Sequence, residues 1–170
     1  MAERIAEFQK VSFEQFVSAM RDKFGEMITT KPCEKLYDNI QLPKRATSGS
    51  AGYDFKSPVG FVLLPGQDIT IPTGIRCLMD SNWVLMCYPR SGLGFKYQVR
   101  LANTCGIIDC DYYHSDNEGH IMLKIVNGGK KELEVKAGDG IAQGIFLQYG
   151  ITYDDDVVEV RNGGFGSTGR

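Results

Sequence analysis

The chain has 170 residues, 42% of them hydrophobic and 24% charged, with a formal net charge of −2. That length makes one domain with its own core the default, and the composition is that of an ordinary globular protein. Without a basic surplus, broad binding to nucleic acid or to an anionic membrane surface is disfavoured, so a phosphate-bearing ligand would need a local cluster of donors.

The first ten residues, "MAERIAEFQK", are charged and lack the apolar h-region of a secretory signal. No apolar run approaches the roughly 18 residues of a membrane span. The five cysteines, Cys33, Cys77, Cys87, Cys105 and Cys110, are odd in number and show no C-x-x-C spacing. Reduced thiols in a soluble, cytoplasmic protein are expected.

The stretch "VSFEQFVSAMRDKFG" predicts a helix, because Phe13, Phe16, Val17, Met20 and Phe24 recur at 3–4 spacing as one apolar stripe. Ser12 and Gln15 have capping-box spacing, Val11 and Phe16 can staple the entry, and Gly25 is the stop. This N-terminal helical extension, residues 1–31, is expected to dock on the body of the protein or on a neighbouring subunit.

After Pro32 the texture changes to short β-branched and aromatic runs punctuated by Gly, Pro, Asn and Asp every 8–12 residues. That rhythm predicts an all-β sandwich or barrel over 32–152. Within it, "IVNGGKKELEV" reads as a hairpin, with Asn127, Gly128 and Gly129 supplying the positive φ of its turn. No G-x-G-x-x-G follows a strand, so a doubly wound nucleotide fold is disfavoured. From Tyr153 the rhythm stops, and residues 153–170 form a glycine-rich arm expected to be mobile until something binds it. The arm's Gly164–Gly169 spacing imitates a phosphate loop, but the chain supplies no helix after it to present aligned N–H groups.

Three internal stretches are over-specified for a plain scaffold. "TSGSAGYDF" sets Asp54 among small residues, and "YPRSGLGFKY" offers Arg90, Ser91 and Gly92 as a compact anion cradle. "NTCGIIDCDYYHSDNEGHI" places Asp109 and Asp111 on either side of Cys110, one suited to activating water and the other to holding the loop. His114 and His120 have no companion cysteine cluster of the kind that builds a structural zinc site.

In order along the chain, "SAGYDF", "PRSGLG", "NTCGIIDCDY", "GDGIAQ" and "GGFGSTG" resemble the five motifs of the trimeric dUTPase (deoxyuridine 5'-triphosphate nucleotidohydrolase) family. The likeness covers about Leu42 to Gly169. It implies a jelly-roll-like β subunit with an N-terminal α-helix and a mobile C-terminal arm, forming a homotrimer with three sites shared between subunits. It implies Mg2+-dependent hydrolysis of dUTP to dUMP and pyrophosphate, which limits uracil incorporation into DNA and supplies dUMP for dTMP synthesis. Neither nucleic acid nor membrane is an implied partner.

By the same resemblance, Asp109 corresponds to the carboxylate that activates the water attacking the α-phosphorus, and Asp54 supports that site and its magnesium through waters. No direct protein ligand for the metal is expected, since magnesium binds mainly through substrate phosphates. Arg90, Ser91, Gly92 and Gln143 correspond to phosphate-side residues. Asn103, Gly106, Ile107, Ile121 and Met122 correspond to groups reading uracil, and Tyr112 to the ring beneath the deoxyribose. In the arm, Phe165 would stack on uracil, Gly166, Ser167 and Thr168 would wrap the phosphates, and Arg161 would clamp the γ-phosphate.

Three positions depart from the family pattern. Residues 113–118 are an insertion, Gly140 stands where Arg is common, and the arm is one residue shorter between Arg161 and Phe165. The alternatives are a dCTP deaminase of the same fold group, for which Glu118 is the nearby acidic residue, and a non-catalytic β module binding a partner through its tail.

Overall fold

Alternating burial along the strands shows where the core lies. In β7 (Trp83–Pro89), Leu85 and Cys87 are buried while Trp83, Val84, Met86 and Tyr88 are not, the period-2 pattern of a strand with one face inward. The computed structural model describes residues 3–25, 29–159, 161 and 163. Around β7 runs a five-stranded sheet. Its order is β2 (Lys44–Arg45), β3 (Tyr53–Lys56), β12 (Gly140–Gln148), β7, then β9 (Gly106–Asp109).

A second sheet orders β5 (Asp68–Pro72), β10 (Met122–Asn127) and β8 (Val99–Leu101). Two strand pairs complete the body: β1 (Ala6–Lys10) with β6 (Ile75–Met79), and β4 (Phe61–Leu63) with β11 (Leu133–Val135). Every named pairing is antiparallel. The inward faces close on one core that includes Phe55, Ile71, Leu85, Leu101, Ile125 and Ile141. The expected all-β, jelly-roll-like architecture is what forms. Among the described residues no helix is long and apolar enough to cross a membrane.

The predicted helix is α1 (Phe13–Phe24), and it docks on the chain's own body: Phe16, Val17 and Met20 are part of the common core. Gly25 ends it at φ 96° with its N–H on Arg21 O. Only half of the capping box forms. Ser12 Oγ accepts from Gln15 N at 3.1 Å, but the Ser12 N–H is taken by Glu118, not by Gln15.

Two features of the N-terminal region differ from the sequence reading. Strand β1 precedes the helix, and a second helix, α2 (Thr30–Asp38), runs through Pro32, so the strand texture begins at Lys44. Pro32 sits in the first turn of α2, where a missing N–H breaks no helical bond. The two helices and β1 are laced together by Tyr37, whose hydroxyl donates to Val11 O at 2.7 Å, and by Lys10 Nζ, which donates to Tyr37 O at 2.7 Å.

The expected 127–129 hairpin is also corrected, since β10 pairs with β5 and β8 while β11 pairs with β4. Gly128 and Gly129 are absent from the positive-φ residues. They are glycines for lack of space: a Cβ would lie 2.9 Å from Gln98 O at one and 2.5 Å from Tyr97 O at the other. Asn127, fully buried, organises the crossover by donating to Leu63 O and Lys131 O at 2.9 and 2.8 Å.

All five cysteines are unpaired. Burial pushes the Cys77 and Cys87 thiols up to about 12, with a smaller push from a neighbouring cysteine in each case.

Candidate active site

The outer face of the five-stranded sheet gathers many of the candidate residues. Strand alternation puts Asp54, Gln143 and Tyr88 on this face as successive cross-strand partners on β3, β12 and β7. Arg90 follows β7 and pairs with Asp54 (Nε to Oδ1, 3.5 Å). Its guanidinium lies over Gly140, where a Cβ would come within 2.7 Å of an Arg90 terminal nitrogen. Gly140 therefore leaves Arg90 its place. Gln143 Nε2 donates to Pro89 O at 3.4 Å, and its carbonyl crowds Gly52.

Immediately after Arg90 the chain forms a short helix, α3 (Ser91–Tyr97), which carries the Ser91 and Gly92 of the expected cradle. A cavity of about 520 Å³ opens there, lined by Arg90, Ser91, Gly92, Lys96, Glu134 and Gly140 among others. Lys96 was missed by motif reasoning. Its signal was helical spacing, since Gly92 and Lys96 stand four apart on one face of α3.

Asp109 occupies the same face of the sheet at its other end, on β9 opposite Val84. Three strand spacings and four residues along β7 separate it from Asp54 at the far end of the row, a diagonal on the order of 20 Å, while Gln143 and Tyr88 stand two spacings and one spacing away. Between them lies an apolar stripe of cross-strand partners, Ile107, Met86 and Ile145, flanked by Val84 and Leu147. Ile107 is 55% and Leu147 45% exposed. The two polar groups are thus held on one rigid sheet but kept apart by a hydrophobic band.

Around Asp109, a 3-10 turn (Cys110–His114) presents Asp111 and Tyr112. Arg161 closes this cluster: its Nε donates to Asp111 Oδ1 at 2.9 Å, its Nη2 pairs with Asp109 Oδ2, and its guanidinium carbon lies 5.7 Å from the Tyr112 ring centroid. Tyr112 is buried, with its hydroxyl donating to His120 O and accepting from Asn117 Nδ2, both at 2.8 Å. Burial raises its pKa.

The turn before β9 exposes Asn103, while Gly106 packs on Cys87, 3.2 Å from a would-be Cβ to the Cys87 Cβ. Opposite stands the start of β10, and here two neighbours part company. Ile121 is fully buried, its N–H donating to Ile75 O and its carbonyl accepting from Thr73 N and Oγ1. Both of its backbone groups thus have partners within the chain. Antiparallel ladders alternate, so the N–H and C=O of Met122 point away from β5 toward the β8 side, where the Asn103 turn lies.

Glu118 is spent too. Its carboxylate accepts from Ser12 N at 2.7 Å and Ser12 Oγ at 2.6 Å, with Arg76 Nη1 at 3.8 Å. Burial works to raise its pKa, but the Ser12 bonds, Arg76 and His120 outweigh it and the net shift is downward. This commitment removes the acid/base residue that the deaminase alternative needed. His120 is a core side chain whose Nε2 accepts from Gly74 N at 2.8 Å. Phe165, Gly166, Ser167 and Thr168 lie outside the described residues.

A jelly-roll-like β fold that carries an Arg–Ser–Gly turn, an acidic turn and an exposed carboxamide offers groups of the kind that suit a nucleotide. The dUTPase family model matches residues 38–169. The deoxyuridine 5'-triphosphate nucleotidohydrolase of Lactococcus lactis is 39% identical over 133 residues, 76% of this chain and 89% of that protein. That of Mannheimia succiniciproducens is 37% identical over 144 residues, 80% and 92% of the two chains. The crystal structure of dUTPase from Streptococcus mutans superposes with a TM-score of 0.63 at 29% identity, covering 85% of this chain and 97% of the other. The dUTPase of phage phi11 of S. aureus, at 18% identity and TM-score 0.64, shares the fold. The chain belongs to the dUTPase family and is an enzyme of the dUTP nucleotidohydrolase class.

Proposed function

We propose that the protein is a cytoplasmic homotrimeric dUTPase whose three sites are each completed by residues from different subunits. The observation that carries this is the separation of Asp109 from Asp54, Arg90 and Gln143 by an apolar band on one sheet face. One subunit holds both halves of a site too far apart to touch one triphosphate. The half-exposed Ile107–Met86–Ile145 stripe gives neighbouring subunits a reason to cover that face, which would bring one subunit's Asp109 to another's Arg90.

In this reading Arg90, Ser91, Gly92 and Gln143 bind the triphosphate, and Lys96 adds charge at the rim of the cavity. Asn103, the backbone at Gly106 and Ile107, and Met122 read the uracil edge. Tyr112 lies under the deoxyribose and leaves no room for a 2′-hydroxyl. Asp109 takes a proton from water as its oxygen bonds to the α-phosphorus; the bond to the α,β-bridging oxygen breaks, and pyrophosphate leaves with dUMP remaining. The arm, residues 153–170, closes over the nucleotide, with Phe165 on uracil, Gly166, Ser167 and Thr168 around the phosphates, and Arg161 on the γ-phosphate.

Among the described residues no three His, Cys, Asp or Glu side chains gather as a metal cage. Asp54, 28% exposed on its side chain and beside Arg90, fits a magnesium ion held chiefly by triphosphate oxygens and water. Bound magnesium would neutralise charge on the phosphates. A structure of the phage phi11 dUTPase describes coordination of a structural Mg(II) ion. The product would feed dTMP synthesis and keep uracil out of DNA.

A pyrophosphate-release assay across deoxynucleoside and ribonucleoside triphosphates, with and without magnesium, tests the reading. Magnesium-dependent turnover confined to dUTP is expected. Ammonia release from dCTP, or no turnover of any triphosphate, would defeat it.

A further inference from the structure

We propose that Glu118, within the 113–118 insertion, is a positioning residue that sets the Tyr112 ring by anchoring its loop to the N-cap of α1. The inference rests on the reading that the site takes a deoxyuridine triphosphate, and it assigns the N-terminal unit a part in sugar selectivity.

The loop is tied to the N-terminal unit on both sides of Tyr112. On one side, the Tyr113 hydroxyl donates to Gln9 Oε1 on β1 at 2.7 Å. Arg76 of β6 stacks 3.5 Å from the Tyr113 ring centroid and donates to Tyr113 O at 3.3 Å. On the other side, Glu118 accepts both the backbone N–H and the hydroxyl of Ser12, the residue that caps α1. Arg76 reaches Glu118 as well, so one guanidinium spans both attachments.

Between the attachments the loop is closed on itself around Tyr112. Asn117 donates to the Tyr112 hydroxyl, which donates to His120 O, while Ser115 N donates to Tyr112 O at 3.1 Å. Gly119, next to Glu118, has φ 70° and lies against the Tyr112–Tyr113 peptide: a Cβ would be 2.8 Å from Tyr112 O and 2.7 Å from Tyr113 Cα. A shift at Glu118 is therefore passed by direct contact through Gly119 to the backbone that carries the ring. Close-packed interiors transmit such shifts rather than absorb them.

The ring is where a small shift matters most. Rejecting a 2′-hydroxyl by lack of room needs the Tyr112 ring held to a fraction of an ångström, whereas the phosphate cradle on β7 and α3 shares no hydrogen bond with this loop among those described. Loosening the anchor should relax sugar discrimination while leaving phosphate binding in place.

The test measures kcat/KM for dUTP and for UTP on the same preparations of wild type, Glu118→Ala, Glu118→Gln and Ser12→Ala. The ratio of the two does not depend on the fraction of folded enzyme, so a merely structural loss leaves it unmoved. We expect the dUTP/UTP ratio to fall about fivefold in Glu118→Ala. Ser12→Ala should move it in the same direction, and Glu118→Gln, which still offers one acceptor, should move it less. Should Glu118→Ala fail to fold, Ser12→Ala and Glu118→Gln carry the test. A ratio equal to wild type in the folded variants overturns the proposal, even if dUTP turnover itself drops. Wild type that hydrolyses neither nucleotide overturns the functional reading instead, and this inference with it.

Discussion

Arg161 and Asp109 are in direct contact: the arm's guanidinium covers the carboxylate assigned to water activation and reaches Asp111 with its second edge at 2.9 Å. The cation proposed to clamp the γ-phosphate thus pairs with the acidic turn of its own chain, and under that proposal a triphosphate competes with Asp109 and Asp111 for it.

If Arg161 clamps the γ-phosphate, Arg161→Ala should weaken dUTP binding by about 2 kcal/mol, the scale of a lost charge-assisted hydrogen bond. dUDP, which has no γ-phosphate, should lose far less. Calorimetric titration of both ligands with a non-hydrolysing Asp109→Asn background checks this, and equal losses would contradict the clamp.

Site sharing predicts complementation between two dead enzymes. Asp109→Asn and Asp54→Asn should each have little turnover alone. Subunits mixed 1:1, unfolded and refolded together, should recover roughly a quarter of wild-type sites, because random trimers place an intact Asp109 against an intact Asp54 that often. Size-exclusion chromatography confirms that trimers re-form, an affinity tag on one variant that co-purifies the untagged one confirms mixing, and recovery of no activity in such mixed trimers would place both carboxylates in one subunit's site.

Two glycines chosen for space should respond in opposite ways. A Cβ at Gly129 meets the Tyr97 carbonyl at 2.5 Å, fixed backbone that cannot step aside. Gly129→Ala should cost about 2 kcal/mol, lowering Tm by roughly 4–8 °C. A Cβ at Gly140 meets the tip of Arg90, which can swing away. Gly140→Ala should leave Tm nearly unchanged and raise KM for dUTP, as read by thermal melts beside steady-state kinetics.

Stability should fall in mild acid. Burial holds His120 neutral and lowers its pKa from 6.5 to about 4, against a smaller opposing pull from Glu118. Between those values the unfolded chain binds a proton that the folded chain refuses, so stability is lost as pH drops from 6.5 toward 4, by about 3 kcal/mol in all. Glu118, whose pKa is lowered, adds loss in the same direction as pH falls through its folded value. Denaturant melts from pH 7 to 4 should show the slope, and His120→Gln should flatten it to the part Glu118 contributes.

The fold class was legible because turn signals and period-2 alternation are local, and α1 because its stripe and caps lie within one short window. What stayed hidden depends on distant chain. Gly128 and Gly129 resemble a hairpin turn locally, but Gln98 and Tyr97 dictate them from outside that turn. Pro32 reads as a breaker unless one knows that it falls in a helix's first turn. The motifs marked Asp54, Arg90, Asp109 and Tyr112 as chemistry, yet nothing in their spacing says that the sheet keeps Asp54 and Asp109 apart. Glu118 looked like a spare acid because Ser12, its partner, stands 106 positions away.

That long reach bears on the order in which the molecule can be made. A helix normally finds its cap among adjacent residues, yet the N–H of Ser12 waits for a carboxylate synthesised 106 residues later. Strand β1 likewise waits for β6. Strand β1 and helix α1 are therefore made well before the partners that hold them, with the apolar helix face uncovered until those partners are added. Docking of this segment and closure of the 113–118 loop thus depend on one another, joined through the Glu118–Ser12 contact across 106 positions.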